Sequence, residues 1–116
     1  MEKNIEICLL LDFYGQLLTK RQEEILKLYF DDDLSLAEIA DELGITRQGV
    51  HDNIKRAEKT LQDLESRLGI ISRFKEHKKR INEALNHIKN AKKNIGEKAY
   101  SELKIVEEIL NSIIDD

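Results

Sequence analysis

A chain of 116 residues suffices for one domain with a modest core, or for a compact domain and an appendage. Charged residues make up 36% and aromatics 5%, and proline is absent, a composition that favours long uninterrupted helices over sheet. The first apolar run is too short for a signal peptide or membrane span, and the lone Cys8 excludes an internal disulfide, so a cytoplasmic protein without membrane insertion is expected.

The first helix is predicted over residues 4–18. Ile7, Leu10, Leu11, Tyr14, Leu17 and Leu18 share one face, and Ile5, Leu9 and Phe13 add apolar surface elsewhere. Cys8 reads as a small core residue of that helix. Thr19 and Gln22 stand at capping-box spacing and open a second helix through residue 30, with Ile25, Leu26, Leu28 and Tyr29 to bury. Asp31, Asp32 and Asp33 then break it. They lack the length, glycine and terminal glutamate of a calcium loop.

Residues 34–61, LSLAEIADELGITRQGVHDNIKRAEKTL, read as a helix-turn-helix. Ser35 and Glu38 form a second capping box, so a helix can begin at Leu36. Ile39, Ala40 and Leu43 give it an apolar stripe, and Gly44 supplies the left-handed residue that ends it. Small Ala40 suits a close helix crossing. Ile45 plugs the turn, and Thr46 can cap a long helix from Arg47 to Leu68, closed by Gly69. Val50, Ile54, Ala57, Leu61, Leu64 and Leu68 alternate at spacings of four and three along its buried face.

Ser72 is the expected cap of the next helix, residues 73–94, whose stripe of Phe74, Ile81, Leu85, Ile88 and Ile95 is too thin to fold alone. Gly96 punctuates the chain. A last helix over residues 97–114 carries Leu103, Ile105, Val106, Ile109, Leu110, Ile113 and Ile114, which demand burial. The fold expected is all-α: a helix-turn-helix domain at 1–69 and, at 70–116, a basic helix plus an apolar C-terminal helix. Surplus apolar surface near Ile5, Leu9 and Phe13, or near Ile105 and Ile109, points to a homodimer.

Two stretches, LLDFYGQLLTKRQ at 10–22 and DDDLSLAEIADELGITRQGVHDNIKR at 31–56, resemble the YlxM family of small bacterial proteins. The resemblance is specific over roughly residues 1–70; beyond that the chain matches only as a charged helical tail. It implies a domain similar to region 4 of bacterial sigma factors. It also implies a link to the signal recognition particle pathway, in an accessory or regulatory role.

Charge divides the chain. Residues 1–69 carry nine Lys and Arg against fifteen Asp and Glu, a balance of −6, whereas 70–116 carry ten against eight, a balance of +2. Within 73–93 eight basic residues face only Glu76 and Glu83. With Ile81 at 0°, Lys75, Lys78, Lys79, Lys89 and Lys93 fall between about 60° and 160°, and Asn82, Asn86 and Asn90 lie within or beside that arc. Lysine neutralises phosphate and asparagine bonds sugar or base edges. The strip Lys75, Lys78, Lys79, Asn82, Asn86, Lys89 and Lys93 therefore suits a structured RNA backbone, and the resemblance implies that this is the particle's RNA. No aromatic residue interleaves for single-strand stacking.

The alternative partner is DNA. Arg47, Gln48, His51, Lys55 and Arg56 would then read a major groove, with the chain acting as a sequence-specific transcription regulator. Asp52, in the middle of that face, opposes this by placing a carboxylate beside phosphates. It can instead pair with Arg56 four residues on, or favour a basic protein surface such as the particle's protein component. His77 and His87 have no metal-ligand spacing, and no catalytic triad, phosphate-binding loop or carboxylate pair is visible. Neither enzymatic activity, a metal nor a cofactor is expected.

Overall fold

The computed structural model describes residues 2–115, with side chains from Asn4 to Ile114. Among them there are six α-helices and no strand. In order these are α1 (Glu2–Tyr14), α2 (Lys20–Leu26), α3 (Leu36–Leu43), α4 (Arg47–Leu68), α5 (Ile70–Ala91) and α6 (Glu97–Asp115). The all-α fold with a helix-turn-helix, α3 and α4, is therefore as the sequence requires. Two compact units divide between Ile71 and Ser72.

Every cap predicted for the first unit forms. Thr19 and Gln22 exchange bonds of 3.1 and 3.2 Å, and Ser35 and Glu38 exchange two of 3.1 Å. Thr46 Oγ1 accepts the Gly49 N–H at 2.9 Å. Gly44 (φ 67°) and Gly69 (φ 62°) both adopt the left-handed conformation that closes α3 and α4.

The boundaries depart from expectation where a local contact outweighs helix propensity. α1 stops at Tyr14, four residues early, and Gly15–Leu17 tighten into a 3₁₀ turn before the extended Leu18. A Cβ at Gly15 would lie 3.1 Å from Glu23 Oε2 and 3.2 Å from Leu11 Cδ1, so any larger residue at this close crossing displaces one of these side chains by a few tenths of an ångström. The tightened turn rotates Leu17 out of the face it was assigned to and leaves it 63% exposed. The second helix likewise is α-helical only to Leu26. Lys27–Asp31 form a π turn, and Asp33 takes a positive φ of 55°.

One core fills the first unit. Ile7, Leu10, Leu11, Tyr14 and Leu18 meet Ile25 and Leu26 of α2, Ile39 and Ala40 of α3, and Val50, Ile54, Ala57 and Leu61 of α4, with Ile71 at its edge. The buried line of α4 is shorter than predicted: Leu64 is half-buried and Leu68 is exposed. Cys8 is half-buried rather than core, its Sγ 3.7 Å from Asp31 Oδ1, and burial, then Asp31, pushes the thiol pKa up.

Ser72 does not cap α5, which begins two residues earlier, at Ile70, directly after Gly69. Tyr14 Oη accepts the Ile70 N–H at 3.3 Å and Glu65 Oε1 accepts the Ile71 N–H at 2.9 Å. The helix start is thus satisfied from the helix-turn-helix unit rather than locally. Its α-geometry ends at Ala91, not at residue 94, and Lys92–Asn94 form a 3₁₀ turn.

The second unit is a helical hairpin of α5 and α6. Leu103, Leu110 and Ile114 are half-buried, as are Ile81, Leu85 and Ile88. From Ser72 onward no described residue is fully buried. The expectation that all seven aliphatics of α6 are covered fails within this chain, because two helices can cover only one face each: Ile105, Val106, Ile109 and Ile113 are exposed.

Candidate nucleic-acid interface

Two surfaces follow from this fold. The first is the outward face of α4, whose orientation is set by burial of Val50, Ile54, Ala57 and Leu61. Arg47, Gln48, His51, Lys55 and Arg56 all stand exposed on the helix. The pair that Asp52 could make with Arg56 does not form. Gln48 Nε2 instead donates to Asp52 Oδ1 at 2.9 Å, and His51 Nδ1 lies 3.7 Å from the same oxygen. Gln48 and Asp52 have the same i, i+4 spacing as Asp52 and Arg56, so the sequence held the signal for either bond. The amide that would read adenine is thereby engaged with a carboxylate at its own surface.

Beside this face lies a groove that sequence reasoning missed, about 250 Å³ in volume, with Tyr29, Phe30, Leu36, His51, Lys55 and Glu58 among its walls. Tyr29 and Phe30, both on the π turn, form one wall, their rings meeting edge to face at 4.9 Å between centroids, and His51, Lys55 and Glu58 of α4 form another. A π turn has no reliable sequence signature, though the adjacent aromatic pair before three aspartates marks the place.

The second surface is the strip on α5. Lys75, Lys78, Lys79, Asn82, Asn86 and Lys89 lie on the helix and Lys93 on the 3₁₀ turn after it, and every one is exposed. Among the described residues none of these lysines takes part in an ion pair. Their ammonium groups are open to an external anion. The neighbouring Lys92 is not part of this surface. Its Nζ lies 2.6 Å from Glu107 Oε1 and 4.6 Å from the centre of the Tyr100 ring. The bond to Glu107 raises the Lys92 pKa above the ordinary lysine value, against a smaller desolvation effect. Lys92 is thus a strut between the 3₁₀ turn after α5 and α6.

The two surfaces contrast in charge and in engagement. One mixes cations with a carboxylate that already accepts a hydrogen bond, and the other is a run of free lysines and amides. Ile5 and Phe13, singled out as apolar surface, are exposed at 71% and 37%, whereas Leu9 packs partly against the core. No group of three metal-ligating side chains occurs among the described residues, and no described helix is long and apolar enough to cross a membrane.

Comparison with known proteins agrees with the helix-turn-helix. Residues 1–112 match the profile of the UPF0122 family, described as "Putative helix-turn-helix protein, YlxM / p13 like". A UPF0122 protein of Acetivibrio thermocellus is 48% identical, the match covering 99% of each chain. One from Symbiobacterium thermophilum is 52% identical over 65% of this chain and 67% of its own. A third, from Clostridium botulinum, is 42% identical over 86% of this chain and 91% of its own. The family match extends through α5 and most of α6. The chain belongs to the UPF0122 family of YlxM- and p13-like helix-turn-helix proteins.

Proposed function

We propose that this chain is an accessory binding protein of the signal recognition particle pathway, with no reaction of its own, that docks on the particle's RNA through the α5 strip. The helix-turn-helix unit contacts the particle's protein component. The pathway rests on the resemblance to YlxM proteins, and the strip carries the mechanism: Lys75, Lys78, Lys79, Lys89 and Lys93 are exposed and free of ion pairs on a chain of net charge −4. Lysines left open on an acidic protein suit phosphate binding with counterion release. Replacing Lys75, Lys79 and Lys93 together with glutamate abolishes RNA binding in fluorescence anisotropy and removes its salt dependence. Unchanged RNA affinity in that variant discards the strip while leaving the pathway standing.

Sequence-specific DNA recognition by α4 is the second reading, favoured by the exposure of Arg47, His51, Lys55 and Arg56 on the second helix of a helix-turn-helix. Asp52 separates the two. On a DNA-reading face it is a like-charge penalty, and Asp52→Asn tightens DNA binding by about 1–3 kcal/mol. On a face that meets a basic protein surface the same change weakens the protein complex. We expect the weakened protein complex and no gain for DNA.

A further inference from the structure

The exposed side of α6 is itself patterned. At about 100° per residue, Ile105, Ile109 and Ile113 form one line along the helix with Val106 beside it, turned by about 100° from the half-buried line of Leu103, Leu110 and Ile114. The four outer aliphatics, Ile105, Ile109, Ile113 and Val106, are exposed at 52%, 56%, 54% and 39%. A surface of this kind in a hairpin without one fully buried residue requires a cover, because two amphipathic helices bury too little to hold themselves together.

The charge pattern indicates what covers it. Residues 97–106 carry Lys98 and Lys104 with Glu97 and Glu102, whereas 107–114 carry no base and two acidic residues, of which Glu107 is held by Lys92 and Glu108 is exposed. Two α6 helices side by side and parallel would lay the acidic halves on each other and Glu102 on its own copy. Antiparallel, each acidic half lies against a half that holds lysines, and the helix dipoles oppose. The apolar line suits the same arrangement. With the twofold axis beside residue 107, Ile105 of one copy meets Ile109 of the other, twice over, and Glu102 faces Ser112. Residues i of one copy and j of the other make an isologous contact of this type, which closes at two chains.

We propose that α6 is the dimerisation helix of this protein and pairs antiparallel with α6 of a second copy through Ile105, Val106, Ile109 and Ile113. The contact is independent of what the α5 strip or α4 binds, so it stands or falls apart from the function proposed above.

Sedimentation equilibrium of the full chain tests it. The wild type sediments as a dimer, and Ile105→Glu with Ile109→Glu weakens association by about a hundredfold or more. Its circular dichroism keeps the helical content and the melting of the first unit. A gain-of-affinity variant guards against mere unfolding. Ser112→Lys places a cation opposite Glu102 in the antiparallel register and tightens the dimer about two- to fivefold, a gain that Glu102→Lys in the same chain reverses. A parallel pair sets the introduced lysine against its own copy, so weaker association in Ser112→Lys overturns the antiparallel arrangement. A monomeric wild type overturns the proposal as a whole. So does a dimer that survives Ile105→Glu with Ile109→Glu and is dispersed by Ile5→Glu with Leu17→Glu on the first unit.

Discussion

Tyr14 Oη donates a 2.6 Å hydrogen bond to Glu65 Oε1, joining the last turn of α1 to the last turn of α4 across 51 residues of sequence. Both groups are committed further, since the Tyr14 oxygen accepts from Ile70 N and the same Glu65 oxygen accepts from Ile71 N. A carboxylate at the start of α5 also meets the positive end of its dipole. Two side chains thus perform what a local serine cap performs elsewhere. The Tyr14 ring is fully buried, so the phenol is both a core residue and a helix cap.

Tyr14→Phe keeps the ring and removes the bonds. Burial, first, and the bond to Glu65 raise the Tyr14 pKa above the ordinary tyrosine value, against the smaller effect of the Ile70 N–H. Folding stability from this group is therefore fully present below pH about 10 and is lost as pH rises through the raised native value. Thermal melts of the wild type and Tyr14→Phe at pH about 7 to 11 check this. The variant melts lower at neutral pH and shows a shallower alkaline fall.

Ser35 and Glu38 give the mirror case in acid. The Ser35 backbone and hydroxyl hold the Glu38 carboxyl below its ordinary pKa. Its contribution is complete above the unfolded value and disappears as pH falls through the native one. Ser35→Ala, which loses the hydroxyl bond to the Glu38 N–H, costs about 1 kcal/mol in urea unfolding, whereas Glu38→Ala, which loses the carboxylate bond to the Ser35 N–H, costs less at pH about 3 than at neutral pH, because the wild type has by then lost part of that bond.

Leu61 tests the reach of the single core. It is wholly buried in α4, well beyond the turn of the helix-turn-helix. Leu61→Ala costs about 2–5 kcal/mol, whereas Leu68→Ala, on the same helix but 43% exposed, costs far less. Chemical denaturation of both variants distinguishes this from a core running the full length of α4.

Lys92→Met removes the strut between the 3₁₀ turn and α6 while keeping most of the side-chain volume. The change eliminates the 2.6 Å bond to Glu107 and the approach of the ammonium to the Tyr100 ring. Hydrogen exchange should rise in residues 88–110 and stay unchanged in α3 and α4. RNA affinity should fall far less than in the strip variant, since Lys92 is turned inward.

Capping boxes, αL glycines and the 3.6-residue period made α3 and α4 legible to the residue, because those signals are local and the tertiary packing agrees with them. The start of α5 was not legible. Ser72 has the right chemistry for a cap, but Tyr14 and Glu65 reach the chain first, and no local pattern announces a partner 56 residues away. The π turn at Lys27–Asp31 and the 3₁₀ turn at Gly15–Leu17 escaped for a related reason: both arise from packing, one through Tyr29 and Phe30, the other through the close crossing at Gly15. At the candidate sites the sequence identified which residues are exposed. It did not reveal which are already engaged, as Gln48 with Asp52 and Lys92 with Glu107 are.

The remote cap of α5 also bears on how the chain comes off the ribosome. Tyr14 and Glu65 both precede Ile70, so the groups that close the first turn of the basic helix are made before the helix itself. Starting a helix is the costly step, and short isolated helices are marginal in water. The helix-turn-helix unit, folding first during vectorial synthesis, holds a ready nucleus for the segment that follows. Severed at residue 71, the hairpin loses that nucleus, and a fragment of residues 72–116 starts its helix without it.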